Sequence, residues 1–129
     1  MCLSKLENFK VTQNYGWQVF GKGSSGKLYP RFFGEGPVPV GEWQRDKFRI
    51  RDRWIYYGFS TVLKYRKGYH IFLNKKDAKE WLTSSKDQCI KKVRFKRVVA
   101  RGLQDIGGLE GQTQYAKVVV CHKRFVEPD

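Results

Sequence analysis

The chain has 129 residues, of which 40% are hydrophobic and 16% aromatic, so we expect it to be folded around one compact core. This length is short for two domains of ordinary size. No segment approaches the roughly 20 apolar residues of a membrane-spanning helix, and the N-terminal residues lack the apolar run of a secretory signal. The 26 basic and 12 acidic residues give a net charge of +14, which limits the partners more than it limits the fold.

The first half of the chain predicts strands separated by turns. Residues 16–20 and 27–29 are typical of two strands joined by a glycine-rich hairpin loop. Residues 32–41 are dense in Gly and Pro, which predicts an irregular loop. Further strands are expected over 45–50 and 53–57.

The second half predicts one helix between strands. A short strand over 69–72 leads to Asn74, which can cap a helix running over about 75–84. Two long strands follow over 89–101 and 115–125, and the glycine-containing segment between them predicts an open hairpin loop that begins at residue 103.

The fold class expected from this order is α+β. We expect a single domain over residues 1–129, built on a mostly antiparallel sheet of five to seven strands with the one helix packed on one face.

The basic excess is concentrated in two segments. Residues 45–67 hold eight basic and two acidic residues, and residues 91–101 hold six basic and none acidic, so these 34 positions carry +12 of the +14 charge. In each segment cations alternate with apolar residues, which in a strand places the cations on one face. The predicted cationic positions are Lys47, Arg49, Arg51, Arg53, Lys92, Arg94 and Lys96.

These cations predict a surface for a phosphate-rich ligand. Like charges that face each other across a sheet repel by about 0.2–1 kcal/mol per pair, and an anionic ligand would offset that cost. A solvated sheet face that serves only solubility is the alternative. The aromatic residues outnumber what a core of this size can bury, Tyr15 and Trp43 among the surplus, and Tyr56 and Tyr57 are the candidate stacking partners for bases.

The segment 21–27 matches the first part of a phosphate-binding P-loop, G-x-x-x-x-G-K. Leu28 stands where a Ser or Thr would hold magnesium, and Pro30 is incompatible with the helix that should follow. The pattern therefore excludes a P-loop nucleotide triphosphatase and leaves only a looser anion contact.

Cys2 suggests an enzymatic alternative. Removal of Met1 would expose a cysteine with both a thiol and an α-amine, the combination used by N-terminal nucleophile hydrolases and by enzymes that trap abasic DNA. Neither family's wider motif is visible, and Leu3 stands where the abasic-site enzymes have glycine.

Metal and hydrolytic chemistry have little support in the sequence. Cys121 and His122 are adjacent in a predicted strand and face opposite sides, and no CxxC or HxxxH motif occurs. Cys89, Cys121 and His70 are therefore expected to be packed residues. With three irregularly spaced cysteines we expect free thiols in a reducing cytoplasm, and no cofactor.

Several segments have the look of one group of proteins. They are Met1–Leu3, Tyr29–Pro30, Val40–Trp43, Gly68–Ala78 and Tyr115–Val120. Together they resemble small proteins encoded by bacteriophages and prophages, which often begin Met-Cys-Leu. The resemblance implies a phage accessory protein in the host cytoplasm. It carries over no catalytic residues, because the group has no established activity. The two basic segments are richer in Arg and Lys than is expected of that group.

The sequence thus predicts a non-enzymatic protein that binds a phosphate-rich ligand, most plausibly DNA or RNA. If the phage resemblance holds, this binding handles phage or host nucleic acid or counters a host defence system. The alternatives are an inhibitor that binds a host defence protein or nucleoprotein complex or sequesters a signalling nucleotide, and an enzyme that uses Cys2.

Overall fold

A computed structural model describes residues 3–23, 25–30, 37–46, 54–57, 63–82, 87–107 and 114–128. Within these residues the elements are β1 (Lys5–Leu6), β2 (Tyr15–Lys22), β3 (Leu28–Pro30), β4 (Trp43–Arg45), β5 (Trp54–Tyr57), β6 (Leu63–Arg66), β7 (Tyr69–Phe72), α1 (Lys75–Trp81), β8 (Gln88–Asp105) and β9 (Tyr115–Val126).

Four of these strands pair in a closed ring. Strand β8 pairs with β2, β2 with β7, β7 with β9, and β9 again with β8, and every pairing is antiparallel. Strands β1, β3 and β4 extend this seven-stranded sheet beside β8, β2 and β9, while β5 and β6 form a separate two-stranded sheet. The predicted α+β class, with a mostly antiparallel sheet and one helix, is confirmed.

The ring closes where β2 meets β7, at the pair Trp17 and Phe72. Gly16 makes the close approach possible, because a Cβ at this position would collide with the backbone carbonyl oxygen of Phe72. A side chain at residue 16 would therefore force the two strands apart.

The hydrophobic side chains form two clusters, one on each side of the ring wall. Cluster 1 fills the inside of the ring, and its buried members are Phe20, Leu28, Val38, Ile71, Val93, Phe95, Val119, Cys121 and Val126. Cluster 2 lies on the outer surface, and its buried members are Leu3, Tyr65, Phe72, Ala78, Ala116, Val118 and Val120. Adjacent residues of β7 and β9 thus enter different clusters, as the alternation of strand side chains requires.

Strands β8 and β9 both interrupt this alternation at the same level of the ring. Phe95 and Val98 of β8 both pack with cluster 1 although three residues separate them, and Cys121 and Val126 of β9 do so across five. Arg97 lies between the two β8 residues with a φ of 58°. This left-handed conformation, followed by a register shift after Val98, re-aims the strand.

Helix α1 covers part of the outer surface. The Asn74 side chain accepts a 2.9 Å hydrogen bond from the Lys76 backbone N–H and so caps the helix, as predicted. Ala78 is fully buried in cluster 2. The helix ends at Trp81 because Leu82 is extended, so it is shorter than the predicted 75–84.

Other boundaries also differ from the sequence prediction. Strand β8 continues to Asp105 instead of giving way to a loop at residue 103, because its last residues pair with both β9 and β1. The predicted hairpin is confirmed as β2 and β3, which pair through residues 20–22 and 28–30. Among the described residues, no helix is long and apolar enough to cross a membrane.

Candidate functional site

A row of three rings and one arginine crosses four neighbouring strands on the outer surface. Tyr15 of β2 pairs with Arg94 of β8, Arg94 pairs with Phe125 of β9, and Phe125 pairs with Trp43 of β4. Side chains directly opposite each other in a sheet share a face, so the four form one line. Tyr15 and Trp43, at its two ends, are 37% and 42% exposed.

A row of three cations runs beside the rings. Lys96 of β8 lies opposite Lys123 of β9, which lies opposite Arg45 of β4. Directly opposed like charges destabilise a sheet by about 0.2–1 kcal/mol per pair, and here two such pairs are adjacent. The row lies two residues along the strands from the rings, a distance of about 7 Å.

Three cations of this surface lie over its rings. The Nζ of Lys92 is 4.6 Å from the centre of the Tyr15 ring, and the Nζ of Lys96 is 4.1 Å from that of Trp43. The guanidinium carbon of Arg94 is 5.5 Å from the centre of the Phe125 ring. We call this surface the basic–aromatic face, and its members are Tyr15, Trp43, Arg45, Lys92, Arg94, Lys96, Lys123 and Phe125.

The basic–aromatic face keeps most of its positive charge. Arg94 Nε donates a 2.8 Å hydrogen bond to Glu127 Oε1. Within the described part of the chain, this is the one ion pair between the five cations of the face and a carboxylate. Rings therefore take the place of anions as the neighbours of Lys92 and Lys96.

A sixth cation, Arg124, lies on the inner side of β9. Arg124, between Lys123 and Phe125, is 7% exposed, and its guanidinium donates hydrogen bonds to the side-chain oxygens of Gln18 and Gln44 at 3.0–3.3 Å. It also lies 4.0 Å above the centre of the Tyr69 ring. Burial lowers the pKa of Arg124, yet arginine stays protonated in proteins.

The structure tests part of the predicted cationic surface. Lys92, Arg94 and Lys96 are exposed while Val93 and Phe95 are buried, as the alternation predicts. Lys47, Arg49, Arg51 and Arg53 lie outside the described residues. Tyr56 and Tyr57 belong to β5, in the separate two-stranded sheet, and their side chains also lie outside the description. Strand β4, with Arg45, is not next to β8, because β9 lies between them.

Five members of the face are not among the predicted site residues: Tyr15, Trp43, Arg45, Lys123 and Phe125. Two of them have no signal in the local sequence: Lys123 lies outside both basic segments, and Phe125 is a half-buried ring that lies beside Arg94 and Trp43. Only the pairing of β9 with β8 and β4 places them there, and that pairing joins residues 80 positions apart along the chain, such as Gln44 and Arg124.

His70 and Cys121 are packed among neighbouring side chains, as the sequence predicts. His70 bonds to the Tyr65 hydroxyl at 3.1 Å and to the Gly68 carbonyl at 3.2 Å, and burial lowers its pKa to about 4. Burial raises the pKa of the Cys121 thiol to about 12, so it stays protonated and is a poor nucleophile. Neither Cys89 nor Cys121 forms a disulfide bond.

Metal binding finds no site in the ranges that the structure describes, where no three His, Cys, Asp or Glu side chains are grouped to hold an ion. The Nε2 atom of His122 instead lies 3.5 Å from the Oδ2 atom of Asp46. Cys2 is not among the described residues.

Comparisons with protein-family models, curated proteins and solved structures found no match for this chain.

Proposed function

We propose that this protein binds nucleic acid without catalysis, through the basic–aromatic face. The observation that carries the proposal is the pair of parallel rows: three opposed cations beside three rings and an arginine, across four strands. Proteins that bind nucleic acid on a sheet use this combination, in which cations follow the phosphates and rings contact the bases.

The energetics of the face favour an anionic ligand over simple solvation. Mixed charges would serve solubility without the repulsion of the Lys96–Lys123–Arg45 row. A polyanion removes that repulsion and releases counterions from its own backbone, which is the main source of affinity in nucleic-acid binding. The cost of the empty face is thus recovered on binding.

The biological setting remains a prediction from the phage resemblance: handling of phage or host nucleic acid, or action against a host defence system. Binding to a host protein or nucleoprotein complex, capture of a signalling nucleotide, and catalysis by Cys2 are its competitors. The experiment below separates them by the ligand that is bound and by its dependence on salt.

Charge reversal with a matched control tests the proposal. Lys96→Glu combined with Lys123→Glu should weaken binding of a fluorescein-labelled 12-nucleotide DNA about 100-fold in fluorescence anisotropy, since two attractions become repulsions. The control combines Lys5→Glu with Lys117→Glu. Both lysines are exposed and lie over aromatic rings, as Lys96 does. The control changes the net charge equally, but its lysines belong to the opposite end of the sheet.

The control variant should bind within about threefold of wild type, and both variants should keep the unfolding midpoint in urea. Affinity for a single strand should fall with salt with a log–log slope of about −3.5 if all five cations contact phosphates. Equal losses in the two variants, or no binding by the wild-type protein, would contradict the proposal. A salt slope near zero would indicate that the ligand is a small nucleotide. A host protein that stays bound to this protein after nuclease treatment would indicate a protein partner.

A further inference from the structure

We infer that the basic–aromatic face selects single-stranded over double-stranded nucleic acid, and that its lysines act as displaceable covers of the rings on which bases stack. This inference rests on the proposed function and adds the class of nucleic acid.

The exposed rings carry the first step. Tyr15 and Trp43 lie at the two ends of one row, three strand spacings apart along the sheet, and both are exposed. In a duplex, the flat sides of the bases are already covered by the neighbouring base pairs. Only phosphates and the groove edges of the bases can then contact the basic–aromatic face. In a single strand the bases can turn out and stack on aromatic side chains.

The cations carry the second step. The cationic row Lys96–Lys123–Arg45 lies on one side of the ring row, and Lys92 on the other. A strand that crosses the sheet from β2 to β4 can thus place one base on Tyr15 and another, farther along the strand, on Trp43, while its phosphates reach cations on either flank. Phe125 and Arg94 line the interval between the two rings.

The positions of the lysines carry the third step. In the unbound protein Lys92 and Lys96 lie over the Tyr15 and Trp43 rings, at 4.6 Å and 4.1 Å. Such contacts at an exposed site strengthen an interaction about 2- to 5-fold, whereas a stacked base contributes about 5- to 100-fold. A base therefore displaces the lysine, and the displaced ammonium group is free to pair with the adjacent phosphate.

The test compares matched 12-nucleotide DNAs, single-stranded and duplex, at one salt concentration. Trp43→Ala and Tyr15→Ala should each weaken single-strand binding about 5- to 100-fold and change duplex binding less than about twofold. Trp43→Phe should restore most of the binding, because phenylalanine retains a stacking face. Tyr115→Ala is the control, since Tyr115 is also an exposed tyrosine with a lysine over its ring, outside the face.

Tryptophan fluorescence gives a second readout that does not depend on affinity. Titration with the single strand should quench the emission of the wild-type protein, and that component should be missing in Trp43→Phe. The duplex should leave it unchanged.

The outcomes separate this inference from the proposed function. Duplex binding as tight as single-strand binding, or ring variants that lose both equally, would overturn the single-strand inference and leave the proposed function intact. Absence of binding to both DNAs would overturn both.

Discussion

The outer surface of the strand ring has two parts, which are formed by the same strands but differ in burial. Under helix α1 and Tyr65, residues such as Val118 and Val120 of β9 are fully buried. Farther along β9, Lys123 and Phe125 lie on the uncovered basic–aromatic face. One part of the surface is therefore covered by the protein's own side chains, and the other is left uncovered.

Arg97 marks the boundary between the two parts. A non-glycine residue with positive φ is uncommon in proteins, and here it accompanies a change of phase in both long strands. Without that change, continued alternation would turn the residues beyond it to the other side of the sheet. The backbone conformation at Arg97 thus allows the pair β8 and β9 to form both the covered part of the outer surface and the basic–aromatic face.

The largest expected effect distinguishes a phenylalanine of each part. Phe72→Ala, in the covered part, should lower the free energy of unfolding by about 3–5 kcal/mol, because Phe72 is fully buried and its loss leaves a cavity. The half-buried Phe125 of the open face should cost less stability when changed to alanine but weaken binding of the labelled single strand. Urea unfolding and fluorescence anisotropy measure the two effects. Equal losses of stability in both variants would remove the distinction.

An intermediate effect concerns acid sensitivity, which the covered part should carry. The pKa of His70 lies at about 4 in the folded protein because burial disfavours the charged imidazolium, against an ordinary value of 6.5. The unfolded chain therefore takes up the proton first as the pH falls. Stability should decrease progressively between about pH 6.5 and pH 4, by on the order of 2 kcal/mol, with little further change from this group below pH 4.

His70→Gln isolates this contribution from that of the carboxylates. The variant should show a flatter dependence of the urea midpoint on pH over the same range than the wild-type protein. Parallel profiles for the two proteins would show that His70 does not contribute.

The smallest expected effect sharpens the electrostatics of the open face. Glu127→Gln removes the carboxylate that pairs with Arg94 at 2.8 Å and keeps the shape of the side chain. Binding of the single strand should tighten about two- to fivefold, consistent with the weak energy of an exposed ion pair. Weaker binding would mean that Glu127 positions Arg94 for the ligand instead of competing with it.

Local patterns in the sequence were sufficient for most of the elements, though not for β1 and β6, and for the three exposed cations of β8. The alternation at residues 92–96 predicts three exposed cations correctly because burial of Val93 and Phe95 leaves no other orientation. The Asn74 cap and the two long strands are equally local signals.

The composition of the full face was beyond such patterns, because it depends on which strands become neighbours. Nothing near Lys123 or Phe125 indicates that β8 and β4 flank them. The positive φ of Arg97 also has no sequence signal, since glycine or asparagine is the usual residue in that conformation. The burial of Arg124 is also not predictable from the local sequence, since a charged residue between two surface residues is expected to be exposed.

The inward guanidinium of Arg124 has a bearing on how the face behaves in concentrated electrolyte. Mobile ions collect around surface lysines and mask them, but they cannot enter the interior where this group is enclosed by amide oxygens and a phenol ring. The guanidinium of Arg124 is therefore masked less by added salt than the solvent-facing charges of the face are.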